Sequence, residues 1–185
     1  MLLAAFLNLD GERAVLVGGG RVASKRAATL RSAGLRVSVI APTIEPSLRE
    51  QDVTVTQRPY QAGDLSGARV VVACPDQPDL NDRVTLDALG LGLLVNHAGD
   101  ARRGNLSFAA TGERGGVQFA VHTGRELPML AQALRDRLGA ALPASLPLDA
   151  WSGQRERALT LPAQQREDAL QVLRRDIREH LGAGL

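Results

Sequence analysis

A glycine-rich turn near the start of the chain constrains the fold more than any other feature of the sequence. Residues 13–17 form an apolar run of the kind that makes a buried parallel strand, and Gly18-Gly19-Gly20 follows it directly. Residues 22–33 then carry apolar side chains at helical spacing, and Gly34 closes the segment as a helix C-cap. A strand, a glycine turn and a helix in this order predict the first unit of a dinucleotide-binding sheet.

The alternation of strand and helix continues as far as about residue 96. Further strands are predicted at 37–41, 53–57, 69–74 and 93–95. Helices are predicted between them at 46–51 and 79–89. This order is typical of the α/β class, so we predict a Rossmann-type parallel sheet with helices on both faces.

The character of the sequence changes after Asn96. Residues 97–105 are polar and glycine-rich, which predicts a loop. Two strands and two helices are predicted beyond it, at 106–110, 117–122, 128–142 and 164–181. The last helix carries an apolar stripe that packs either on its own chain or on a partner, made of Leu170, Leu173, Ile177 and Leu181.

These patterns divide the chain into three regions. Residues 1–110 are predicted to form a NAD-binding Rossmann-type domain. Residues 111–143 are a strand-rich connector, and residues 144–185 are a helical C-terminal region.

Composition excludes several classes of function. The net charge is only +2 and the two signs alternate along the chain, so no nucleic acid partner is expected. Cys74 is the single cysteine, which excludes an intramolecular disulfide and a cysteine-rich metal site, and we predict no metal ligands. No apolar run approaches the roughly 20 residues of a membrane span. Because the start also lacks a signal-peptide pattern, we expect a cytoplasmic protein without membrane contact.

Each small residue of the glycine turn has a distinct predicted role in cofactor binding. Gly18 permits the tight turn, Gly20 lets a diphosphate approach the backbone, and Ala23 lets the helix pack closely on the strand. The first turn of the helix offers free N–H groups and the positive end of the helix dipole. The alternative is a tight strand–helix turn that binds nothing.

The end of the second strand lacks an acidic residue. Rossmann sites usually carry Asp or Glu there to bind the ribose hydroxyls, but this chain has Ala41-Pro42-Thr43. Thr43 or backbone groups can substitute, and no arginine directly follows the strand to bind a 2′-phosphate. The pattern therefore favours NAD over NADP.

Asp100 is the candidate catalytic residue. It follows the predicted strand that ends at Val95, so it lies at the sheet edge where open α/β folds bind ligands. A carboxylate there can take a proton from a substrate, whereas the alternative is an ordinary turn aspartate after Gly99. Asp76, after the preceding strand, is the nearest rival, and Glu113 is a weaker one.

Arginine, histidine and threonine side chains are candidates for substrate contact. Arginine binds carboxylates bidentately, and the alternative is solvation at the surface for Arg102, Arg103, Arg114 and Arg125. His97 and His122 are bases, metal ligands or structural residues, and two isolated histidines without a third spaced partner are more often structural. The Thr123 hydroxyl either contacts a ligand or caps a turn.

Two N-terminal segments, residues 6–11 and 15–26, together resemble one family. The sequence is similar to the dehydrogenase–chelatase module of siroheme synthase, also called precorrin-2 dehydrogenase/sirohydrochlorin ferrochelatase, from about residue 5 to about residue 145. Further matches are Gly34, residues 37–42, Asp64-Leu65, residues 71–76, Leu80-Asn81, Asn96, Ser107-Phe108, residues 128–131, Leu134-Arg135 and Leu142-Pro143.

The resemblance implies an NAD-dependent oxidation of precorrin-2 to sirohydrochlorin. In some members the same module also inserts ferrous iron to give siroheme. The resemblance further implies a homodimer, with residues 111–143 as its dimerisation region. It implies an active site between the nucleotide domain and the region after it.

Carried over position by position, the resemblance assigns the catalytic carboxylate to Asp100. It assigns the dinucleotide contacts to Gly20, Arg21, Val22, Pro42 and Thr43. The chain departs from the family pattern because Gly99 adds one residue between Asn96 and Asp100, Thr123 replaces the usual serine, and Glu113-Arg114 replaces Asp-Arg. These departures bear on iron insertion more than on the oxidation.

Two other classes of function are consistent with the sequence. A non-catalytic domain that senses NAD or another nucleotide would need the glycines but neither Asp100 nor the arginines. A purely structural interaction protein would need none of them. Reduction of NAD in the presence of precorrin-2 separates the enzyme from the sensor, and NAD binding argues against the structural protein.

Overall fold

The computed structural model describes residues 2–125 and 127–182, so Met1 and residues 183–185 of the predicted terminal regions lie outside the described residues. The chain forms two compact units, one ending at Phe108 and the other beginning at Ala109. The strands of the first unit are β1 (Arg13–Val17), β2 (Arg36–Ile40), β3 (Thr54–Thr56), β4 (Val70–Ala73) and β5 (Leu94–His97). Its helices are α1 (Arg21–Ser32), α2 (Pro46–Arg49) and α3 (Pro78–Gly90), with a 3-10 turn at Ala62–Leu65.

These strands form one parallel sheet in the order β3-β2-β1-β4-β5. The predicted α/β class is confirmed, and the predicted bounds of these elements agree with the structure to within about two residues. β1 lies at the centre, and its two neighbours β2 and β4 leave it on opposite sides. The carboxyl ends of β1 and β4 therefore form the topological switch point, where open α/β sheets bind ligands.

Apolar packing covers both faces of the sheet. On one face Leu16 packs in a cluster that contains Ala23, Ala27 and Leu30 of α1. On the other face Val15 packs in a cluster that contains Leu65, Val84, Ala88 and Val95. Burial of alternate β1 residues on opposite faces explains why this strand is an unbroken apolar run.

The second unit contains a hairpin and three helices. The strands are β6 (Ala110–Arg114) and β7 (Val117–Val121), and the helices are α4 (Pro128–Ala141), α5 (Leu148–Leu159) and α6 (Ala163–His180). Phe119 of β7 lies 3.3 Å from the position of a Cβ added to Gly139, so α4 packs closely on the hairpin. No helix among the described residues has both the length and the apolar character needed to cross a membrane.

The predicted strand at 106–110 was wrong. The first hairpin strand begins at Ala110 and continues to Arg114, through residues that we expected to separate two strands. Gly115 and Gly116 form the two-residue turn, with φ values of 58° and 78°. Two positive φ angles fit the turn that joins twisted antiparallel strands, so this glycine pair sets the register. Leu106 and Phe108 pack instead on the core of the first unit.

The apolar stripe of the last helix packs at its centre within its own chain. Leu173 of α6 and Ala158 of α5 are both buried. Trp151 Nε1 of α5 donates to Asp176 Oδ2 of α6 at 3.1 Å, and the Trp151 ring meets the His180 ring edge-on. The stripe therefore packs on its own chain at Leu173, while packing of Leu181, which is 45% exposed, on a partner stays a prediction.

Asp64 provides a pH-dependent contribution to the stability of the first unit. Its carboxylate accepts the Gln61 backbone N–H at 2.8 Å and two bonds from the Arg58 guanidinium at 2.8 and 2.5 Å. Arg58 is the main reason that the pKa of Asp64 is below its ordinary value. A carboxylate whose pKa is depressed by folding stabilises the fold above its unfolded pKa, and this stabilisation is lost as the pH falls through the folded pKa.

We therefore predict that Asp64→Asn lowers the free energy of unfolding at neutral pH by about 1–2 kcal/mol. The deficit should shrink as the pH falls through the depressed pKa of the wild-type carboxylate, which then becomes protonated as well. Urea unfolding at a series of pH values measures both quantities. Asp52→Asn is the matched control, because the Asp52 side chain is 94% exposed and pairs with Arg31 only at the surface. A deficit independent of pH would contradict the prediction.

Candidate active site

The glycine loop after β1 is enclosed by neighbouring backbone at two positions. A Cβ on Gly18 would overlap the Cys74 carbonyl oxygen after β4, and a Cβ on Gly19 would overlap the Thr43 carbonyl oxygen after β2. Gly18 also has a φ of 126°, which residues with a side chain rarely adopt. Sequence reasoning assigned no role to Gly19, because its constraint comes from a loop more than twenty residues away.

Gly20 has room for a side chain, whereas Gly18 and Gly19 do not. Among the described residues, no atom lies within 4 Å of a Cβ added to Gly20, which is the N-cap of α1 and makes no side-chain capping bond. The first bond of the helix runs from the Ser24 N–H to the Gly20 carbonyl at 3.0 Å. The preceding N–H groups, including those of Arg21 and Val22, have no partner within the helix and can bind an anion.

The loop after β2 lies beside this helix start. The Glu45 N–H donates to the Gly19 carbonyl at 2.8 Å, so the two loops are hydrogen-bonded to each other. Pro42 and Thr43 are exposed beside this bond. Ala23 is fully buried, as close packing of α1 on the sheet requires. An open Gly20, uncapped N–H groups and no acidic residue in the first turn of α1 fit a dinucleotide diphosphate.

A cleft of about 320 Å³ opens at the carboxyl ends of β4 and β5. It therefore lies at the same edge of the sheet as the glycine loop. Its polar lining includes Asp76, Asn81, Asp82, His97, Asp100 and Arg103. The structure thus brings the candidate Asp100 and its rival Asp76 into one cleft.

Asn105 fixes the loop that carries Asp100. Its Oδ1 accepts the Val95 N–H at 2.7 Å, and its Nδ2 donates to the Leu93 carbonyl at 3.0 Å. The Val95 carbonyl accepts the N–H groups of Asn105 and Leu106, both at 3.0 Å. The loop is therefore bonded to its own strand at its C-terminal end.

Asp100 is an ionised carboxylate held by its neighbour Arg102. Arg102 Nε donates to Oδ1 and Arg102 Nη2 to Oδ2, both at 2.9 Å, and the Arg102 backbone N–H donates to Oδ1 at 3.0 Å. The bonds from the Arg102 side chain are the main cause that lowers the pKa of Asp100 to about 2. Arg103 Nε lies 3.8 Å from Asp100 Oδ2 and adds positive charge. Asp100 is therefore negatively charged throughout the neutral range.

His97 connects this loop to α3. Its side chain is 6% exposed, its Nε2 lies 3.1 Å from Asp82 Oδ1, and its Nδ1 accepts the Asp100 N–H at 2.9 Å. Arg103 also pairs with Asp82, and it is the main reason that the pKa of Asp82 is lowered. Sequence reasoning did not select Asp82, because only the packing of α3 on β5 brings it to His97.

Asn81 lines the cleft and has a buried acceptor without a partner among the described residues. The residue is 7% exposed and its Nδ2 donates to the Pro75 carbonyl at 3.0 Å. Its Oδ1 is buried and accepts no hydrogen bond among the described residues. An unsatisfied buried acceptor costs free energy, so a ligand N–H that reached it would be favoured. The atom is closed to solvent here, so such a contact requires the cleft to adjust.

The other candidate substrate contacts belong to the second unit. His122 Nδ1 accepts the Gly124 N–H at 3.0 Å, and the Thr123 hydroxyl donates to the Arg125 carbonyl at 2.7 Å. Arg114 is exposed at the end of β6. Their contact with substrate stays a prediction. Among the described residues, no three His, Cys, Asp or Glu side chains are grouped as metal ligands.

A family model and curated relatives both match this chain. Residues 5–110 match the family described as "Putative NAD(P)-binding". The chain is 37% identical over 147 residues to siroheme synthase of Pseudomonas putida, which covers 77% of this chain and 32% of that protein. It is 37% identical over 160 residues to siroheme synthase of Azotobacter vinelandii, which covers 84% of this chain and 34% of that protein. The chain therefore spans about a third of the length of these relatives.

A solved structure supports the same fold over the full chain. The structure of SirC, precorrin-2 dehydrogenase, superposes with a TM-score of 0.69 and covers 99% of this chain and 100% of that one. The sequence identity is 19%, so this likeness concerns the fold alone.

The glycine loop generates a prediction that separates binding from folding. We predict that Gly20→Asp abolishes NAD binding without lowering the thermal midpoint. The new carboxylate occupies the open N-cap, bonds the N–H groups that a diphosphate needs, and repels it. Titration calorimetry with NAD measures the first effect and differential scanning calorimetry the second.

Two glycine variants act as controls. Gly90→Asp, at an equally open position at the end of α3, should keep NAD binding. Gly18→Ala should lose the fold itself, because its Cβ meets the Cys74 backbone. NAD affinity that survives in Gly20→Asp would contradict the role of this loop.

Proposed function

The chain belongs to the NAD(P)-binding family that includes the N-terminal module of siroheme synthase, and we propose that it oxidises precorrin-2 to sirohydrochlorin with NAD. One observation carries the proposal: the ionised Asp100 lines a cleft at the same sheet edge as the open helix start at Gly20. A bound cofactor and a reacting substrate can share this edge. Residues 1–110 are the proposed NAD-binding domain.

NAD, when bound, accepts the hydride that the substrate loses. The residues proposed to hold it are Gly18, Gly20, Arg21, Val22 and Ala23 at the start of α1, with Pro42 and Thr43 beside them. The backbone N–H groups of α1 would bind the diphosphate, and Thr43 would stand in for the missing ribose carboxylate. The absence of an arginine directly after β2 favours NAD over NADP.

Asp100 acts on the substrate in two ways in this proposal. Loss of a hydride leaves a cation, and the ionised carboxylate stabilises it. The substrate then loses a proton to the same carboxylate, so that two hydrogens leave in all. With its pKa of about 2, Asp100 is a weak base while Arg102 is bound to it. We therefore include an exchange in which Arg102 leaves Asp100 for an acidic side chain of the substrate.

Exposure of the arginine supports this exchange. The Arg102 side chain is 87% exposed, so it can turn towards a ligand without disturbing the core. Precorrin-2 carries acetate and propionate groups, which suit the planar guanidinium. Asn81 Oδ1 is the proposed acceptor for a substrate N–H. The further proposed substrate contacts are Arg103, Arg114, His122, Thr123 and Arg125.

The main alternative is a domain that only senses NAD or another nucleotide. Such a domain has no need of an ionised carboxylate in a cleft at the sheet edge that holds the glycine loop, and this feature favours the enzyme. The decisive test is steady-state reduction of NAD, followed by absorbance, with precorrin-2 as substrate. The same preparation supplied with sirohydrochlorin and ferrous iron as substrates tests the second proposed step, formation of siroheme.

The proposal also includes a cytoplasmic location. The single cysteine, Cys74, is buried and unpaired, which is typical of proteins from reducing compartments. Fractionation of cells that produce the chain tests it.

We predict that Asp100→Ala lowers the turnover of precorrin-2 by roughly 10²-fold or more. NAD affinity should not change, because the glycine loop is intact, and the fold should survive the loss of a loop side chain. Stopped assays of sirohydrochlorin formation and a parallel NAD titration measure both. Asp168→Ala, an exposed change on α6, is the matched control and should leave turnover unaltered. If Asp76→Ala loses turnover and Asp100→Ala does not, Asp76 is the catalytic carboxylate.

The homodimer is proposed from the exposed apolar face of α4. This helix exposes Met129, Leu130, Leu134 and Leu138 by 79, 46, 39 and 50%. Apolar side chains grouped on one helix are typical of an interface. Residues 111–143 are accordingly the proposed dimerisation region, and residues 144–185 a helical region beside it.

We predict that the double variant Met129→Glu, Leu138→Glu halves the molar mass measured by light scattering, because it introduces charges into this interface. Leu91→Glu, at a residue that is 58% exposed after α3, is the control and should leave the dimer intact. A wild-type chain that is monomeric at micromolar concentration would rule out the dimer.

A further inference from the structure

The buried imidazole of His97 is hydrogen-bonded through both of its ring nitrogens. Its Nδ1 faces the Asp100 backbone N–H at 2.9 Å, and a backbone N–H can only donate. Nδ1 is therefore the acceptor and Nε2 carries the ring proton, which points to Asp82 Oδ1 at 3.1 Å. Because the lone pair of Nδ1 accepts the Asp100 N–H, His97 has no free nitrogen with which to take a proton from a substrate.

This geometry points to a positioning role: we infer that His97 sets the place of the Asp100 carboxylate by holding its backbone N–H. The inference rests on the proposed function, in which Asp100 acts on the substrate. His97 is the last residue of β5 and is 6% exposed, so its ring is a fixed point at the sheet edge.

The other bonds of Asp100 cannot fix it in the same way. Its carboxylate is bonded to Arg102, two residues along the same loop, and its carbonyl accepts the Arg103 N–H at 3.1 Å. The bonds to Arg102 lie within the tip of the loop and move with it. Arg103 also pairs with Asp82 of α3, but through a long side chain that is 55% exposed. The bond to His97 Nδ1 instead connects the tip to the end of a buried strand.

Asp82 keeps the ring in the required state. Its Oδ1 accepts from His97 Nε2 and pairs with Arg103, so the proton stays on Nε2 and the lone pair stays on Nδ1. Asp82 lies on α3, which packs on β5. The chain of contacts therefore runs from α3 through Asp82 and His97 to Asp100.

Two amide variants separate the two bonds of the ring. In His97→Asn the side-chain oxygen reaches the place of Nδ1 and can accept the Asp100 N–H, but the contact with Asp82 is lost. In His97→Gln the amide nitrogen reaches the place of Nε2 and can donate to Asp82, but the acceptor for Asp100 is lost. His97→Phe keeps an aromatic ring at this position but loses the hydrogen bonds to both Asp82 and Asp100.

We expect His97→Asn to keep turnover of precorrin-2 within about tenfold of wild type. His97→Gln and His97→Phe should lose about 10²-fold in kcat, because a small displacement of a catalytic group is that costly. The KM for precorrin-2 and the affinity for NAD should change little in all three. His180→Gln, an exposed change on α6, is the control and should have no effect.

Amide hydrogen exchange at Asp100, followed by NMR, gives a readout that needs no substrate. The Asp100 N–H should be protected in wild type and in His97→Asn, and should exchange rapidly in His97→Gln and His97→Phe. If it stays protected in His97→Gln, the inference is overturned, whatever the activity.

The kinetic outcomes are equally distinct. One outcome is that the turnover of the three variants follows the order of their thermal stability, and that His97→Asn is no more active than His97→Gln when the two are equally stable. That result assigns His97 to folding alone and overturns the inference. If wild type does not oxidise precorrin-2, the proposed function fails together with the catalytic consequence drawn here. The exchange measurement then still decides whether His97 holds Asp100.

Discussion

The close approach of three backbones at the switch point of the sheet governs the arrangement of the whole first unit. The glycine loop after β1 lies so near the Cys74 and Thr43 carbonyl oxygens that no side chain fits at Gly18 or Gly19. This contact fixes the loops after β1, β2 and β4 relative to one another. It also determines where α1 begins, and therefore leaves Gly20 and its unbonded N–H neighbours open to a ligand. The binding capacity of this edge follows from backbone packing more than from any charged side chain.

In the cleft beside this loop, two aspartates are paired with arginines whose side chains are exposed. Asp82 and Asp100 are both ionised and paired with Arg103 and Arg102. The arginines of the two pairs are 87 and 55% exposed, and surface pairs typically contribute about 0–1 kcal/mol to stability. The proposed exchange, in which a carboxylate of the ligand takes over an arginine and releases an aspartate, therefore has a small cost. The buried His97 stays in place meanwhile, because neither of its bonds is made to a group of the ligand.

The sequence predicted the parts of this structure that depend on local patterns. Apolar runs and the glycine turn were enough for β1, α1 and the position of Asp100 after β5. The hairpin register was missed because Leu106 and Phe108 read as part of a strand, whereas the turn at Gly115 and Gly116 sets the pairing. Asp82 and Asn105 were also missed, since each acts on a residue that is at least ten positions away in the sequence. Their roles exist only once the sheet and α3 are assembled.

Gly99 lies between His97 and Asp100, where the loop passes beside the imidazole ring. A loop leaves its carboxylate free to move unless a bond holds it. A Cβ added to Gly99 would lie 3.4 Å from His97 Cε1, so this backbone passes beside the imidazole ring. The loop thus folds over the ring and its next residue, Asp100, donates its N–H to Nδ1. Gly99, which has no side chain, lets the backbone pass beside the ring, and the proposed role of His97 is to limit the freedom of this loop by accepting the Asp100 N–H.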